Sequence, residues 1–375
     1  MLKGIHLTLM IGPVVPVPVP QSVLDALTSM TVTTSSEGTS GFQMTFRINN
    51  DSPLNWLFLL TGGAMINMLR VIITVTMNGS PEVLIDGIIT NHQLTPEHDS
   101  GNSILTLTGE DLTKLMDYVD YSGFPFPAMP PEARVVMILA KYAAFGIVPM
   151  VIPSVMIDIP VPTDRIPTQK GKDLAYIREL AAEVGYVFYI DPGPAPGVNV
   201  AYWGPEIKAG EPQRALNVNM DGQTNVESLD FTLDSEKKTM PELLIQDAVS
   251  KMSIPIPIPD VTPLNPPLGL IPLLPKNFEP IAGTAKLSLV RAAMIGLTKA
   301  AQTSDAVFGT GNLNVLRYGS ILKARKLVGV RGAGFIFDGL YYVKSVTHQI
   351  KPGEYKQSFK LSRNGLVSIL QNVPV

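Results

Sequence analysis

Glu82-Val83-Leu84-Ile85-Asp86-Gly87-Ile88-Ile89-Thr90-Asn91-His92-Gln93-Leu94 is followed by a polar turn and then by Leu105-Thr106-Leu107-Thr108-Gly109. Far along the chain, Phe337-Asp338-Gly339-Leu340-Tyr341-Tyr342-Val343-Lys344-Ser345-Val346-Thr347-His348-Gln349-Ile350 is followed by a turn and by Phe359-Lys360-Leu361-Ser362-Arg363. Each copy has Asp-Gly, a β-rich strand ending in His-Gln-aliphatic, a Pro-containing turn and an alternating return strand. Repetition of one supersecondary unit predicts two copies of a single β-domain in one chain. A chain with two similar domains can build a ring with twice as many structural positions as subunits, which points to an assembly part and not an enzyme.

Working outward from these copies, the first β-domain takes residues 1–111. Thr31-Val32-Thr33 and Phe42-Gln43-Met44-Thr45-Phe46-Arg47-Ile48 alternate apolar and polar, the mark of half-buried strands. With residues 71–77, 83–94 and 103–109 they predict an antiparallel sheet. Residues 112–222 change texture and predict an α+β domain. A short helix is expected at 112–118, a helix opening on Pro131 at 131–142, and a helix at 173–184 with Gly185 as its C-cap. A hairpin at 186–190 and 198–203 follows. Residues 223–239 start the second β-domain, with 225–234 in the role that 42–48 plays in the first. Residues 240–306 form a Pro-rich and helical insertion, with helical text at 286–301. Residues 307–366 complete the second β-domain, with strands expected at 314–322, 327–331, 335–350 and 355–363, and 367–375 form a tail. The fold class is therefore α+β, mainly β.

The chain has 375 residues, enough for two to four domains. Charged residues make up only 16%, against about a quarter in an average soluble domain, so much of this surface is expected to face other protein. Mean hydropathy is +0.21. Residues 54–77 are the best candidate for a membrane span, but Asn55, Gly62, Gly63, Asn67 and Arg70 interrupt them and their second half reads as a strand. A membrane β-barrel would want many strands of about ten residues with aromatic girdles, and the helical text counts against it. The net charge is −3, with no basic block for nucleic acid. Cysteine is absent, which removes disulfides, zinc thiolates and thiol catalysis together. The N-terminus opens directly into strand-like text without a basic signal region. Two Pro-rich apolar stretches, 13–20 and 254–275, are unsuited to helix or central strand and read either as satellites of the core or as surfaces that lie against a partner.

No catalytic, cofactor or metal residues are assigned. The histidines His6, His92, His98 and His348 form no metal spacing. His92 and His348 occupy the same place in the repeat, which argues for a shared structural role. Glu97, His98 and Asp99 read as a solvated turn, and Asp111 as a helix cap. Gly329-Val330-Arg331-Gly332-Ala333-Gly334 lies between two strands, where it is hairpin chemistry and not a phosphate cradle. Trp56 and Trp203 fit core and interface equally. A β-rich multi-domain enzyme is the competing reading, and it would require converging carboxylates that the sequence does not show.

Taken in order, several stretches resemble the late control protein D family, the T4-type baseplate hub of contractile phage tails and injection systems. They are Leu105-Thr106-Leu107-Thr108-Gly109-Glu110-Asp111-Leu112, Asp173-Leu174-Ala175 with Leu180-Ala181-Ala182-Glu183-Val184-Gly185-Tyr186, Asn225-Val226-Glu227-Ser228-Leu229-Asp230-Phe231, Arg317-Tyr318-Gly319-Ser320-Ile321-Leu322, and the strand from Asp338 to His348. The N-terminal part of type VI secretion spike proteins is a relative. The resemblance covers nearly the whole chain and implies two tube-like antiparallel β-barrel domains. It further implies a homotrimer without enzymatic activity or cofactor. Three copies would offer six tube-like positions to a hexameric inner tube or its initiator, and threefold symmetry to a spike. Other baseplate proteins would be neighbours, and assembly in the bacterial cytoplasm into a virion or injection particle follows. The chain departs from the family by ending at Val375, so the spike is expected to be a separate polypeptide, and by its Pro-rich insertion.

Overall fold

A computed structural model describes residues 4–49, 68–97, 102–154, 166–234, 236, 238–246, 253–258, 265–281, 295–297, 299–300, 303–370 and 373. Trp56, His98, Asp99 and most of the helical text at 286–301 lie outside them, while 295–297 and 299–300 are helical. The first unit contains β1 (Ile5–Gly12), β2 (Val17–Pro18), α1 (Gln21–Asp25), β3 (Leu27–Ser35), β4 (Gly41–Asn49), β5 (Arg70–Met77), β6 (Ser80–Pro96) and β7 (Asn102–Asp111). A 3-10 turn at Leu112–Asp117 leads into α2 (Pro131–Ala140), β8 (Ile147–Val151), α3 (Asp173–Val184), β9 (Val187–Pro192) and β10 (Asn199–Gly204). Beyond these come β11 (Gln213–Asn217), β12 (Ser228–Leu233), β13 (Thr239–Gln246), β14 (Ser253–Pro257), β15 (Gly269–Pro272) and β16 (Asn277–Pro280). The chain closes with β17 (Val307–Asn314), α4 (Val315–Tyr318), β18 (Leu327–Arg331), β19 (Gly339–Lys351), β20 (Glu354–Arg363) and β21 (Gly365–Ser368).

The strands explain the alternation seen in the sequence. In β4, Phe42, Met44, Phe46 and Ile48 are buried and Gln43, Arg47 and Asn49 are exposed. β5 differs, with Arg70 to Val75 all buried. Its Val71, Ile73 and Val75 enter the main β core. Neighbouring Ile88 of β6 points the other way, into a separate core with Leu112, Ile177 and Trp203. A strand covered on both faces reads as a continuous apolar run, which accounts for the second half of the candidate span at 54–77; residues 54–67 lie outside the described residues.

Thirteen strands form one sheet, whose main path runs β12-β17-β20-β19-β3-β4-β7-β6-β5-β1-β2, with β18 on β19 and β11 on β18. The path contains one pattern twice. Strands β3, β4, β7, β6 and β5 neighbour one another in the order that β12, β17, β20, β19 and β18 repeat. The two units are joined where β3 pairs with the outer half of β19, from Ser345 opposite Ser35 to Ile350 opposite Met30. One apolar core runs beneath this seam and includes Met30, Val32, Phe42, Val346, Tyr355 and Phe359.

Each unit carries a bulge at the matching place. In β6 it falls between Ile89 and Asn91, in β19 between Val343 and Ser345. These bulges give the correct correspondence, in which Ile89 opposite Gly109 matches Val343 opposite Leu361. His92 then lies three residues past its anchor and His348 five past, so the two histidines are not equivalents. Their surroundings differ accordingly: His92 is half-buried, while His348 is 4% exposed. The repeated letters mark a true repeat but misalign it by two residues, one full period of a strand, which preserves the alternating pattern.

Two further expectations are corrected. Residues 228–233 neighbour β17 at the sheet end and take the place of β3, while the role of 42–48 belongs to β17. Residues 315–318 are a helical turn and not strand, because the Asn314 side chain accepts from the N–H groups of Leu316 (3.0 Å) and Arg317 (3.4 Å) and caps it. α3 ends at Gly185 in the left-handed conformation, as the sequence indicated. The Pro-rich β14 is an edge strand of a small sheet with β13 and β16, and β15 pairs only with β21.

His348 shares a 2.7 Å hydrogen bond between Nδ1 and the Tyr355 hydroxyl. Burial pushes its pKa down from 6.5 to about 3. Below pH 6.5 the unfolded chain takes up a proton that the folded chain refuses, so stability present above that pH is lost as pH falls toward 3. Between pH 7 and pH 5 this loss is about 2 kcal/mol. Urea unfolding of His348→Gln should show a pH dependence weaker by that amount, and an unchanged dependence would assign the effect elsewhere.

Candidate functional site: domain junctions and open strand edges

The polar chemistry of this chain is concentrated where its units meet. Arg70, at the start of β5, is buried and donates from Nε and Nη2 to both carboxylate oxygens of Asp86 on the neighbouring β6, at 2.7 and 2.6 Å. Its side chain is 3% exposed and that of Asp86 1%. The same guanidinium reaches the Val14 carbonyl (2.8 Å) in the Pro-rich loop and the Phe145 carbonyl (2.7 Å) in the middle unit. Asn199 of β10 donates to Asp86 Oδ2 at 2.8 Å. Gly146 makes the approach feasible: its φ is +71°, and a Cβ there would lie 1.9 Å from the Gly197 carbonyl oxygen, itself a 3.3 Å acceptor from Arg70.

Arg325 forms the second junction. Its Nη2 donates to the Ser35 carbonyl at the end of β3 (2.5 Å), its Nη1 pairs with Asp191 of β9, and its guanidinium stacks 4.2 Å over the Tyr189 ring. The residue holds a φ of +62°, unusual for a long side chain, and its N–H is fixed to the Val343 carbonyl at 2.8 Å. One side chain thus touches all three units.

Asp305 forms the third. Lys208 Nζ lies 3.1 Å and Lys344 Nζ 3.4 Å from its Oδ2, and the Ser362 hydroxyl donates to the same oxygen at 2.7 Å. Burial alone would raise the Asp305 pKa, but the two ammonium groups outweigh it and hold the carboxyl below its ordinary value. Lys344 also pairs with Glu37 across the β3–β19 seam.

The residues singled out in the sequence have structural employment. Asp111 caps the 3-10 turn by accepting from the Thr113 N–H at 2.9 Å. Burial raises its pKa against those hydrogen bonds. Glu97 pairs with Arg47 at 2.7 Å, Trp203 is fully buried, and His6 is exposed on β1. A cleft of about 560 Å³ between the units is lined by Asp111, Arg178, Tyr186, Tyr189 and Arg325. Asp111 and Arg325 are already committed there, to the cap and to the junction. Among the described residues no group of three or more His, Cys, Asp or Glu gathers to hold a metal, and no helix is long and apolar enough to cross a membrane. The Arg70–Asp86–Asn199 cluster was not legible in the sequence, since nothing in their spacing links them.

The remaining feature is two strand edges. β12 ends the main sheet and pairs only with β17. The outer half of β6, from Asn91 to Pro96, pairs with β7 on one side, while β5 stops opposite Ile88. Among the described residues neither edge has a further strand partner. Leu94 on one and Leu233 on the other are 41% and 48% exposed.

This architecture has solved counterparts. Phage and bacterial tail proteins share this fold. A tail protein from Neisseria meningitidis aligns over 97% of this chain and 98% of its own, with TM-score 0.62 and 13% identity. The 43 kDa tail protein of prophage MuSo2 from Shewanella oneidensis aligns over 96% and 98%, with TM-score 0.62 and 13% identity. The E. coli c3393 protein aligns over 93% of this chain and 76% of its own, with TM-score 0.51 and 11% identity. It is described as a type VI secretion component with structural similarity to the T4 tail proteins gp27 and gp5. No family profile and no curated protein matches the chain by sequence. The fold is thus the one that the resemblance to the T4-type hub implied.

Asp86→Ala would leave the Arg70 guanidinium buried without its carboxylate. The expected cost is about 3–5 kcal/mol, read as a fall in unfolding free energy in urea. A loss below ~1 kcal/mol would place the two groups in contact with solvent.

Proposed function

We propose that this chain is a structural baseplate hub of a contractile tail or injection system, and that three copies form an adaptor between a threefold spike and a sixfold inner tube. The observation that supports it is the doubled five-strand pattern within one continuous sheet. Three copies supply six similar positions in a closed ring, while the ring keeps only threefold symmetry elsewhere. A symmetry mismatch cannot be bridged by one identical contact repeated, and an internal duplication resolves it.

In this reading the β-units at 1–111 and at 223–239 with 307–366 are the tube-like parts. The units at 112–222 and 240–306 face outward or toward the spike. Exposed Leu270, Ile271 and Leu274 in the Pro-rich segment offer an apolar surface for a spike or another baseplate protein. The mechanism is geometric and not catalytic. Apolar burial drives assembly, and the ring lines the front of the tube until contraction drives the particle into a target membrane. The component is made in the bacterial cytoplasm and carried in a virion or injection particle.

Negative-stain electron microscopy of the purified chain, alone and with the adjacent spike protein, tests this. Threefold rings with a six-lobed rim are expected. Absence of rings in both samples would overturn the hub reading.

A further inference from the structure

We propose that Lys208 and Asp305 condense into an intramolecular amide, a covalent strap between Lys208 Nζ and Asp305 Cγ, with Glu206 relaying the protons. This stands apart from the assembly reading and does not depend on it. Lys208 lies in the connection from β10 to β11, and Asp305 comes just before β17. The two are 97 residues apart in sequence, yet Nζ lies 3.1 Å from Oδ2. Their side chains are 2% and 3% exposed. Among the described residues no other lysine–carboxylate pair has both partners so deeply buried. The Arg70–Asp86 pair is equally buried, but a guanidinium does not give up its proton and cannot attack a carboxyl.

The surroundings supply what the condensation needs. Lys208 must lose protons, and Glu206 Oε2 lies 4.0 Å from its Nζ. Asp305 must have its carbonyl polarised, and Lys344 Nζ (3.4 Å) and the Ser362 hydroxyl (2.7 Å) both meet Oδ2. Two donors on one oxygen stabilise the oxyanion of a tetrahedral intermediate. Lys344 is the extra residue of the β19 bulge, which takes it out of the ladder. Burial works against its charge, but Asp305 and Glu37 outweigh that and raise its pKa, so it stays a cation. Lys208 Nζ sits 5.6 Å from the centre of the Tyr342 ring, and Tyr342 packs with Leu268, Leu327 and Leu340.

The ion pair is the reactant state. Moving one proton from ammonium to carboxylate removes two charges from a site with little water, so burial favours the neutral pair that reacts. That form can be scarce, because its population sets the rate and not the yield. The Nζ lone pair attacks Cγ, and the Nζ–Cγ bond forms. Two of the three Nζ protons pass in turn through Glu206 to Oδ1. The Cγ–Oδ1 bond then breaks, and Oδ1 leaves as water with the bonding pair. Ammonium and carboxylate become an amide and one water, nothing is oxidised or reduced, and Glu206 returns to its starting form. An amine and an acid free in water would not condense. Here fixed contact supplies a high effective concentration, and the closed site excludes the water that would reverse the step. The amide would close a loop that contains β11, β12 and the Pro-rich insertion, and fasten the end of that loop at the base of β17.

Intact-mass spectrometry of the purified, denatured full-length chain tests this. After allowance for the initiator methionine, the expected mass is one water below that of the sequence. A tryptic digest should contain one branched peptide joining Lys208 to Asp305, with cleavage after Lys208 lost. Lys208→Arg keeps the charge but cannot form the amide, and it is expected at its full sequence mass. Glu206→Gln keeps the shape and loses the relay, so linking should slow by about a hundredfold, read as unlinked chain in material purified soon after expression. The unaltered chain at its full sequence mass, with Lys208 in ordinary tryptic peptides, would overturn the proposal. A mass deficit that persists in Lys208→Arg would overturn it as well. Linking of Glu206→Gln at the unaltered rate would overturn the relay role of Glu206. The deciding measurement is made on the unaltered chain, so a variant that fails to fold does not change the outcome.

Discussion

The pairing of β3 with β19 is the constraint from which the rest of the molecule follows. Six residue pairs, from Ser345 with Ser35 to Ile350 with Met30, convert two strand sets into one sheet. Strand pairing alone would leave each set with an exposed edge, a recurrent hazard in β proteins. Here the seam also closes a shared core. His348 and Val32 lie opposite each other within it, and Tyr355 and Gln357 tie the histidine and the Leu322 backbone beneath it. Lys344 and Glu37 close its outer rim. The bulge just before Ser345 holds the phase, because a strand shifted past it would bring polar residues into the core.

Buried charge does a different task from buried hydrocarbon in this fold. Apolar contacts hold strands together with little angular preference. The Arg70–Asp86 pair, joined by Asn199 and by carbonyls of two loops, fixes how the middle unit sits against β5 and β6. Arg325 fixes the same unit against the seam. Such groups add little net stability relative to packed hydrophobes, but each is costly to leave unpaired. They therefore penalise any orientation of the units other than the one observed.

How much of this was legible depended on whether the signal was local. The alternation in residues 42–48, the amphipathic run of α3 and its closing Gly185 are local, and they were read directly. The role of 228–233 was not, because a strand's text shows which face is buried but not which strands lie beside it. β11, which pairs in parallel with β18 across the Gly-rich loop region, went unread for the same reason. The repeated Asp-Gly is the instructive case. Asp86 is selected by Arg70, whereas Asp338 braces a loop by accepting from the Ala333 N–H at 2.8 Å. The letters coincide while the employment differs, so matching them gave the right duplication and a shifted alignment. The junction residues were not legible, since they converge from distant parts of the chain.

Covalent continuity through the seam has a kinetic side. Within one chain, β3 and β19 meet at the effective concentration set by the intervening polypeptide, which for tethered modules is commonly in the millimolar range. Their pairing therefore needs no second molecule and does not weaken on dilution. Closing a ring from three two-unit chains takes two association steps where six single-unit chains would take five, so more than half of the translational entropy cost is removed before any two copies collide. Two halves on one chain also appear in equal number and at the same time, so the supply of one can never outrun the other.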